Sequence, residues 1–168
     1  MKKFIFSLLF SVLATFSVSA QRIAYVDVAQ ILESITEYTE SQKELDQLAA
    51  RWREEIAKQY DDIKSMYNKY QAEQVLLSDE ARRQREDQIL EREKSVRELQ
   101  KSRFGPEGAL FKRRQELVRP IQDRVYAAIE DYAADRGYDF IFDRGGSSGM
   151  IFSSDKFDKT EDIINKLK

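Results

Sequence analysis

Few side chains in this sequence could take part in catalysis. There is no histidine and no cysteine, so the commonest general base, the usual thiol nucleophile and most transition-metal ligands are missing. Asp27, Asp139 and Asp143 lie in or beside β-like segments and could form a carboxylate cluster for acid–base work or a hard cation. Exposed strand edges and turn caps are the commoner positions for such residues. We therefore predict no catalytic site, no metal site and no cofactor.

The glycine-rich segment 143–149 resembles a phosphate-binding loop in composition only. It lacks the Gly-Lys-Ser/Thr ending, and β-like residues 150–152 follow it instead of a helix. A turn between two antiparallel strands explains it better, so we predict a β-hairpin here.

Other side chains could bind unfolded polypeptide, because aromatic and methionine side chains accommodate varied partners. The candidates are Tyr60, Met66, Tyr67, Tyr70, Phe104 and Phe111. Most of them lie at helix-seam spacing, where packing between helices is the commoner role. Three arginines, Arg82, Arg83 and Arg85, could attract acidic polypeptide or lipid phosphates. A solvated helix surface is again the commoner explanation.

These side chains belong to a predicted arm of two long helices, residues 37–136. All six glycines and both prolines lie at or after Gly105, so nothing earlier breaks a helix. Apolar residues recur every three or four positions, as in a coiled coil. Ser78 has the character of an N-cap and places the hairpin tip near residues 76–80. We predict a break at residues 104–108, a second possible kink at Pro120 and a C-cap at Gly137.

The two sides of the arm differ in length. Residues 37–77 number 41 and would span about 60 Å, whereas residues 79–136 number 58 and would span about 87 Å at ~1.5 Å per residue. Either a short helical turn at residues 29–34 also lies along the return helix, or the Gly-Pro break absorbs the excess. Ser34 or Thr36 could cap the outward helix.

Both ends of the arm return to strand-forming sequence, at residues 23–28, 138–143 and 150–152. Asp158 and Glu161 resemble a capping box that opens a final helix. Residues 21–36 and 137–168 would form a small β body, which cannot bury an adequate core alone. We predict that it associates with copies of itself. The predicted interface residues are Ile23, Tyr25, Val26, Val28, Phe140, Ile141, Phe142, Met150, Ile151 and Phe152.

Residues 1–20 have the pattern of a cleaved signal peptide: two lysines, an apolar run, and small residues before position 21. Residues 21–168 carry 26 basic and 30 acidic side chains, a net charge of −4. This balance argues against nucleic acid as a partner. The charge is uneven, because residues 37–78 carry a net −3 and residues 79–119 a net +3.

The signal-like segment, the first strand, the long arm and the closing segments 117–122, 138–143 and 153–168 together resemble the Skp/OmpH family of periplasmic chaperones. The resemblance covers nearly all of residues 21–168. It implies a homotrimer with a small β-barrel-like body and three helical tentacles around a cavity. It also implies an ATP-independent holdase that keeps unfolded outer-membrane β-barrel proteins soluble in the periplasm.

Two features depart from the family pattern. Well-known members are strongly basic, whereas this chain is mildly acidic, so attraction of acidic clients should be weaker or confined to the basic part of the arm. The Gly105-Pro106 break is not part of the pattern and could hinge the tentacle. Anionic lipid or lipopolysaccharide is a further partner by resemblance, although the family's contacts to it match no particular residues here. The alternative function is a structural coiled-coil protein that tethers or spaces layers of the envelope.

Overall fold

The structure, a computed structural model, describes residues 21–146 and 149–168. The predicted signal peptide and two residues of the glycine-rich segment lie outside the described residues. The elements in chain order are β1 (Ile23–Val26), α1 (Val28–Glu33), α2 (Thr36–Glu73), a 3₁₀ turn (Gln74–Leu76), α3 (Asp79–Phe104), α4 (Ala109–Arg136), β2 (Phe140–Asp143), a second 3₁₀ turn (Asp155–Phe157) and α5 (Thr160–Leu167). The predicted mainly α fold, with a long antiparallel hairpin on a small β body, is confirmed.

The hairpin tip forms where the sequence predicts it. Ser78 is the N-cap of α3, and its side-chain oxygen accepts a hydrogen bond from the backbone N–H of Ala81. Asp79 and Glu80 occupy the first turn, where the positive end of the helix dipole favours carboxylates. The chain therefore reverses over residues 74–78 and returns along α2.

The return side is broken at residues 105–108, as predicted. The backbone N–H of Gly105 ends α3 by donating to the carbonyl of Lys101 at 2.8 Å, and the N–H of Gly108 donates to the carbonyl of Gly105 at 2.8 Å. Helix α4 then runs through Pro120 without ending there. Gly137 is its C-cap with a left-handed backbone, φ 65° and ψ 43°, which glycine adopts most readily.

Helix α1 covers part of the longer return side of the arm. Ile31 and Leu32 of α1 join Ile121 and Val125 of α4 in one buried cluster. The return helix is thus covered by α2 along most of its length and by α1 near the body. Both explanations drawn from the sequence therefore contribute, because residues 105–108 also lie outside the two helices of the return side.

The predicted cap of α2 is wrong. The N-cap position is Ile35, and no side chain caps the helix. The Ser34 hydroxyl instead donates to the carbonyl of Ile31 at 2.6 Å, and Thr36 is already the first helical residue. The tight turn out of α1 thus determines where α2 begins.

The sheet consists of β1 and β2 in parallel, with Ile23 opposite Phe140 and Val26 opposite Asp143. A parallel pair requires a long crossover connection. Here the connection is the arm, which leaves the end of β1 and returns beside its beginning. The backbone N–H of Asp139 accordingly donates to the carbonyl of Arg22 at 2.9 Å.

The predicted strand at residues 150–152, and the β-hairpin it would complete, are wrong in the described chain. Met150, Ile151 and Phe152 have no regular secondary structure, and β2 pairs with β1 instead. Ile151 is wholly exposed. A β-like run of three residues has too few ladder hydrogen bonds to fix its own position, so tertiary contacts decide it.

The closing helix α5 packs on the base of the arm through Ile163 and Ile164. Its N-cap is Lys159, so the predicted capping box on Asp158 is displaced. The Asp158 carboxylate accepts from the backbone N–H and the hydroxyl of Thr160, two residues later, at 2.9 and 2.6 Å. This local turn uses the oxygen that a capping box would need.

The buried residues form two main clusters. The base cluster joins β1, α1, α4 and α5, and the arm cluster lies farther out between α2 and α3. The base cluster comprises Val26, Ile31, Leu32, Ile121, Val125, Ala128, Tyr132, Ile163 and Ile164. The arm cluster comprises Ile56, Ile63, Tyr70, Ile89 and Val96.

Candidate interaction surfaces

The outer side of the sheet is apolar and exposed. Side chains alternate along a strand, so Phe140 and Phe142 project away from Ile141, which packs on the base cluster. The two phenylalanine rings stack with centroids 6.3 Å apart. Phe140 is 49% exposed, Phe142 is 39% exposed, and the neighbouring Ile23 is 43% exposed. Apolar patches of this kind usually mark contacts with another molecule.

The segment after β2 extends this patch. Phe152 is 86% exposed and, with Ile23, Phe142, Met150 and Phe157, borders an open cavity of about 390 Å³. We call the patch formed by Ile23, Phe140, Phe142, Phe152 and Phe157 the body face. It contains four of the ten residues that the sequence predicts at a self-association interface.

The other six predicted interface residues have different surroundings. Tyr25 and Val26 are buried within the chain itself, and Val28 and Ile141 pack partly against the base cluster. Met150 is half-buried beside the body face, and Ile151 is exposed.

Polar contacts fix the C-terminal segment against β1. The backbone N–H of Lys159 donates to the carbonyl of Tyr25 at 2.9 Å, and that of Asp27 donates to the Thr160 hydroxyl at 2.9 Å. Burial alone would raise the pKa of Asp158. Hydrogen bonds from Thr160 and Tyr25, together with the nearby charge of Arg144, outweigh burial and lower this pKa below its usual value.

The three aspartates that could have formed a catalytic cluster cap the backbone instead. Asp27 accepts from the backbone N–H of Gln30, Asp139 from that of Arg22, and Asp143 from those of Val28 and Gly145. Within residues 21–146 and 149–168, no three acidic side chains lie close enough together to hold a metal ion.

The predicted client-binding residues of the arm divide into two groups. Tyr60, Tyr67 and Phe111 are 40%, 51% and 45% exposed. The others face the partner helix: Met66 and Phe104 pack partly against the arm cluster, and Tyr70 belongs to it. The Tyr70 hydroxyl donates to the Glu86 carboxylate. This hydrogen bond, aided by burial, raises the pKa of Tyr70.

The arginines near the tip differ in the same way. Arg82 reaches back to the carbonyl of Leu77 at 3.4 Å and lies 3.7 Å from Asp79, so it helps to close the tip. Arg83 and Arg85 are exposed. The tip itself presents Val75 and Leu76, which are 82% and 85% exposed.

A cluster of aromatic and arginine side chains beside the break was not predicted from the sequence. Trp52 and Phe104 meet edge to face with ring centroids 6.1 Å apart. The Arg103 guanidinium lies 4.6 Å from the Trp52 ring centroid, and that of Arg53 lies 5.8 Å from the Phe104 ring centroid. We call these four residues the aromatic clasp.

The aromatic clasp has a signal in the sequence. In an antiparallel hairpin, residues at equal distances from the tip face each other. Trp52 and Phe104 each lie 26 positions from Ser78, and Arg53 and Arg103 each lie 25 positions from it. Reflecting the sequence about the predicted tip would have paired them.

A similar solved fold and a matching family model relate this chain to known proteins. No described helix combines the length and the apolar character needed to cross a bilayer. A search of curated proteins found no match. The fold is similar to the crystal structure of a proposed OmpH-like outer membrane chaperone from Caulobacter crescentus CB15, with a TM-score of 0.68 and 10% sequence identity over 91% of this chain and 87% of that one. The model of the outer membrane protein (OmpH-like) family matches residues 22–167. With a match over nearly its whole length, the chain belongs to the OmpH-like outer membrane protein family.

Proposed function

We propose that this protein is a periplasmic, ATP-independent holdase chaperone that works as a homotrimer. Three bodies associate through their body faces and direct three arms around a shared space. Unfolded outer-membrane β-barrel proteins are held in that space by many weak contacts and are kept from aggregating. The family membership and the fold of the OmpH-like relative support a chaperone role.

The observation that carries the proposal is the exposed body face. Ile23, Phe140 and Phe142 lie side by side, and Phe152 is 86% exposed beside them. Burial of apolar surface contributes a free energy of about 25 cal/mol per Å², and these side chains lack that stabilisation while they are in water. Association of several copies would remove this surface from water and would fix the directions of their arms.

The arms suit weak, multiple binding. Tyr60, Tyr67 and Phe111 are exposed aromatic side chains spread over two helices. No single one could hold a client tightly, but several acting together from three arms raise the effective concentration of contact sites. Such binding keeps a chain soluble without giving it a fixed structure, and it needs no catalytic group.

The experiment has two measurements on the purified protein without its signal peptide. Analytical ultracentrifugation gives the mass in solution, for which we expect three chains. Light scattering after dilution of a urea-unfolded outer-membrane β-barrel protein then measures aggregation, which one trimer per client should suppress. A monomeric mass would contradict the assembly, and undiminished scattering at every salt concentration would contradict the holdase function.

The same scattering assay separates the holdase from the alternative of a structural tether. A tether binds folded partners and would leave aggregation of the unfolded client unchanged while still forming an oligomer. Cosedimentation with anionic vesicles, compared with neutral ones, tests lipid as a second partner of the exposed Arg83 and Arg85.

A further inference from the structure

A groove runs between α2 and α3 directly beside the aromatic clasp. Arg53, Ile56, Ala57 and Tyr60 of α2 line it on one side, and Gln100 and Phe104 of α3 line it on the other. Its volume is about 340 Å³, which is at the small end of ligand pockets and is suited to one large side chain. We call it the clasp groove.

The walls of the clasp groove are aromatic. The Phe104 ring is held from behind by the edge-to-face contact with Trp52. Tyr60 is 40% exposed, and its hydroxyl lies 3.4 Å from the side-chain oxygen of Gln100. Two rings held on facing helices favour a third ring between them, because aromatic pairs adopt edge-to-face and offset geometries beyond simple burial.

Arg53 gives the groove a positive charge without a partner. Its guanidinium is near the Phe104 ring, and no carboxylate of the described chain lies within 4 Å of it. By contrast, Arg113 and Arg124 of α4 form ion pairs with Glu44 and Glu37 across the arm, at 2.7 and 2.6 Å. The guanidinium of Arg53 thus keeps its hydrogen-bond donors available for an external anion.

We propose that the clasp groove binds an aromatic side chain of an unfolded client polypeptide, while Arg53 binds a carboxylate next to that aromatic residue in the client. This assignment rests on the proposed holdase function and gives it a defined contact. It selects aromatic residues flanked by Asp or Glu over aromatic residues flanked by Lys or Arg.

Trp52 makes the proposal directly measurable. It is the sole tryptophan of the chain, and its ring contacts Phe104 in the wall of the groove. Intrinsic fluorescence of the assembled protein therefore reports occupation of this groove, provided that the probe contains no tryptophan. The probe is a short peptide with one phenylalanine beside one aspartate. Two matched peptides replace the phenylalanine with alanine or the aspartate with lysine.

Two substitutions remove the two halves of the proposed recognition, and each has a matched control. Tyr60→Leu removes an aromatic wall but keeps it apolar, and Tyr126→Leu makes the same change at an exposed tyrosine of α4 that lies outside the groove. Arg53→Gln removes the unpaired charge, and Arg51→Gln removes an equal charge from an exposed position outside the groove. Circular dichroism without peptide checks that every variant keeps its helix content.

We expect a saturable change in Trp52 emission with the Phe-Asp peptide and at least fivefold weaker binding of the other two peptides. Tyr60→Leu and Arg53→Gln should each lower the affinity for the Phe-Asp peptide about fivefold, as expected for the loss of one aromatic pair or one charge-assisted contact. Tyr126→Leu and Arg51→Gln should leave its binding unchanged. Equal losses in test and control variants, equal binding of all three peptides, or no saturable change would each overturn the groove assignment.

The peptide-binding and aggregation assays distinguish an incorrect groove assignment from an incorrect holdase function. If wild-type protein suppresses aggregation but the peptide results are negative, the holdase function stands and the groove assignment falls. If wild-type protein does not suppress aggregation, the holdase function falls whatever the peptides show.

Discussion

Gly105 ends α3 in a turn that has no space for a side chain. A Cβ atom at this position would lie 2.4 Å from the carbonyl oxygen of Lys101, the oxygen that accepts the hydrogen bond from the backbone N–H of Gly105 at 2.8 Å. The backbone φ of Gly105 is −65°, which any residue can adopt. Steric exclusion, and not backbone preference, therefore requires glycine here.

Gly105→Ala should lower the free energy of unfolding by about 1–2 kcal/mol. The obstructing atom belongs to the backbone, so the end of the helix must shift, at a cost typical of overpacking, about 1–3 kcal/mol. Reduced freedom of the unfolded chain offsets about 0.4–1 kcal/mol of this cost. The matched control is Gly145→Ala, where the nearest atom is 3.8 Å away and φ is not positive. That change should be neutral or slightly stabilising.

Urea unfolding followed by circular dichroism measures both variants. The protein concentration must be equal in all samples, because the apparent stability of an oligomer depends on it. An unchanged denaturant slope would show that the same structure unfolds. If Gly105→Ala proved as stable as Gly145→Ala, the break would not be the close-packed turn described above.

Three further predictions concern the body face, the arm cluster and the C-terminal segment. Phe142→Asp should dissociate the proposed trimer in ultracentrifugation, since it places a charge in the body face, whereas Tyr126→Asp on the exposed surface of α4 should not. Val96→Ala should cost about 2 kcal/mol in urea unfolding because Val96 is fully buried, while Leu90→Ala, at 59% exposure, should cost under ~0.5 kcal/mol. The lowered pKa of Asp158 means that its carboxylate stabilises the fold above the unfolded-state pKa of about 3.9 and loses this effect as pH falls through the folded pKa. The difference in unfolding free energy between wild type and Asp158→Asn should therefore be largest near pH 7 and should shrink below about pH 4.

Local signals predicted the arm well. Ser78, Gly105 and Gly137 each act within one turn of their own position, through a cap, a close backbone contact and a left-handed conformation. The seam residues also repeat with helical spacing, so the buried arm cluster could be anticipated from the sequence. For such features the sequence neighbours are also the spatial neighbours.

The body was harder to predict because its contacts are distant in sequence. Phe140 pairs with Ile23 across the whole arm, and no local pattern distinguishes this parallel pairing from a hairpin with residues 150–152. Short strands carry little information about their partners. The predicted hairpin was wrong for this reason, although the apolar character of its residues was read correctly.

The candidate surfaces also depend partly on local sequence and partly on contacts between distant residues. The sequence pattern indicated that Tyr60, Tyr67 and Phe104 lie on the arm, but exposure and burial depend on which way each side chain faces across the hairpin. The tertiary structure placed Tyr70 and Phe104 against the partner helix and left Tyr60 beside an unpaired Arg53. Successive side chains on a helix point about 100° apart, so the rotation of the helix about its axis decides whether a side chain faces the partner helix or the solvent. That rotation is fixed only when the two helices pack.

By itself, the sequence determined a long helical hairpin, the position of its tip, the break at Gly105 and a chain without histidine or cysteine chemistry. These follow from residue type and spacing over a few turns. Only the tertiary structure decided that β1 and β2 pair in parallel, that Phe140 and Phe142 remain exposed, and that Trp52 meets Phe104. The physical reason is that these contacts join residues far apart in the chain, whose energies depend on the packing of the whole molecule.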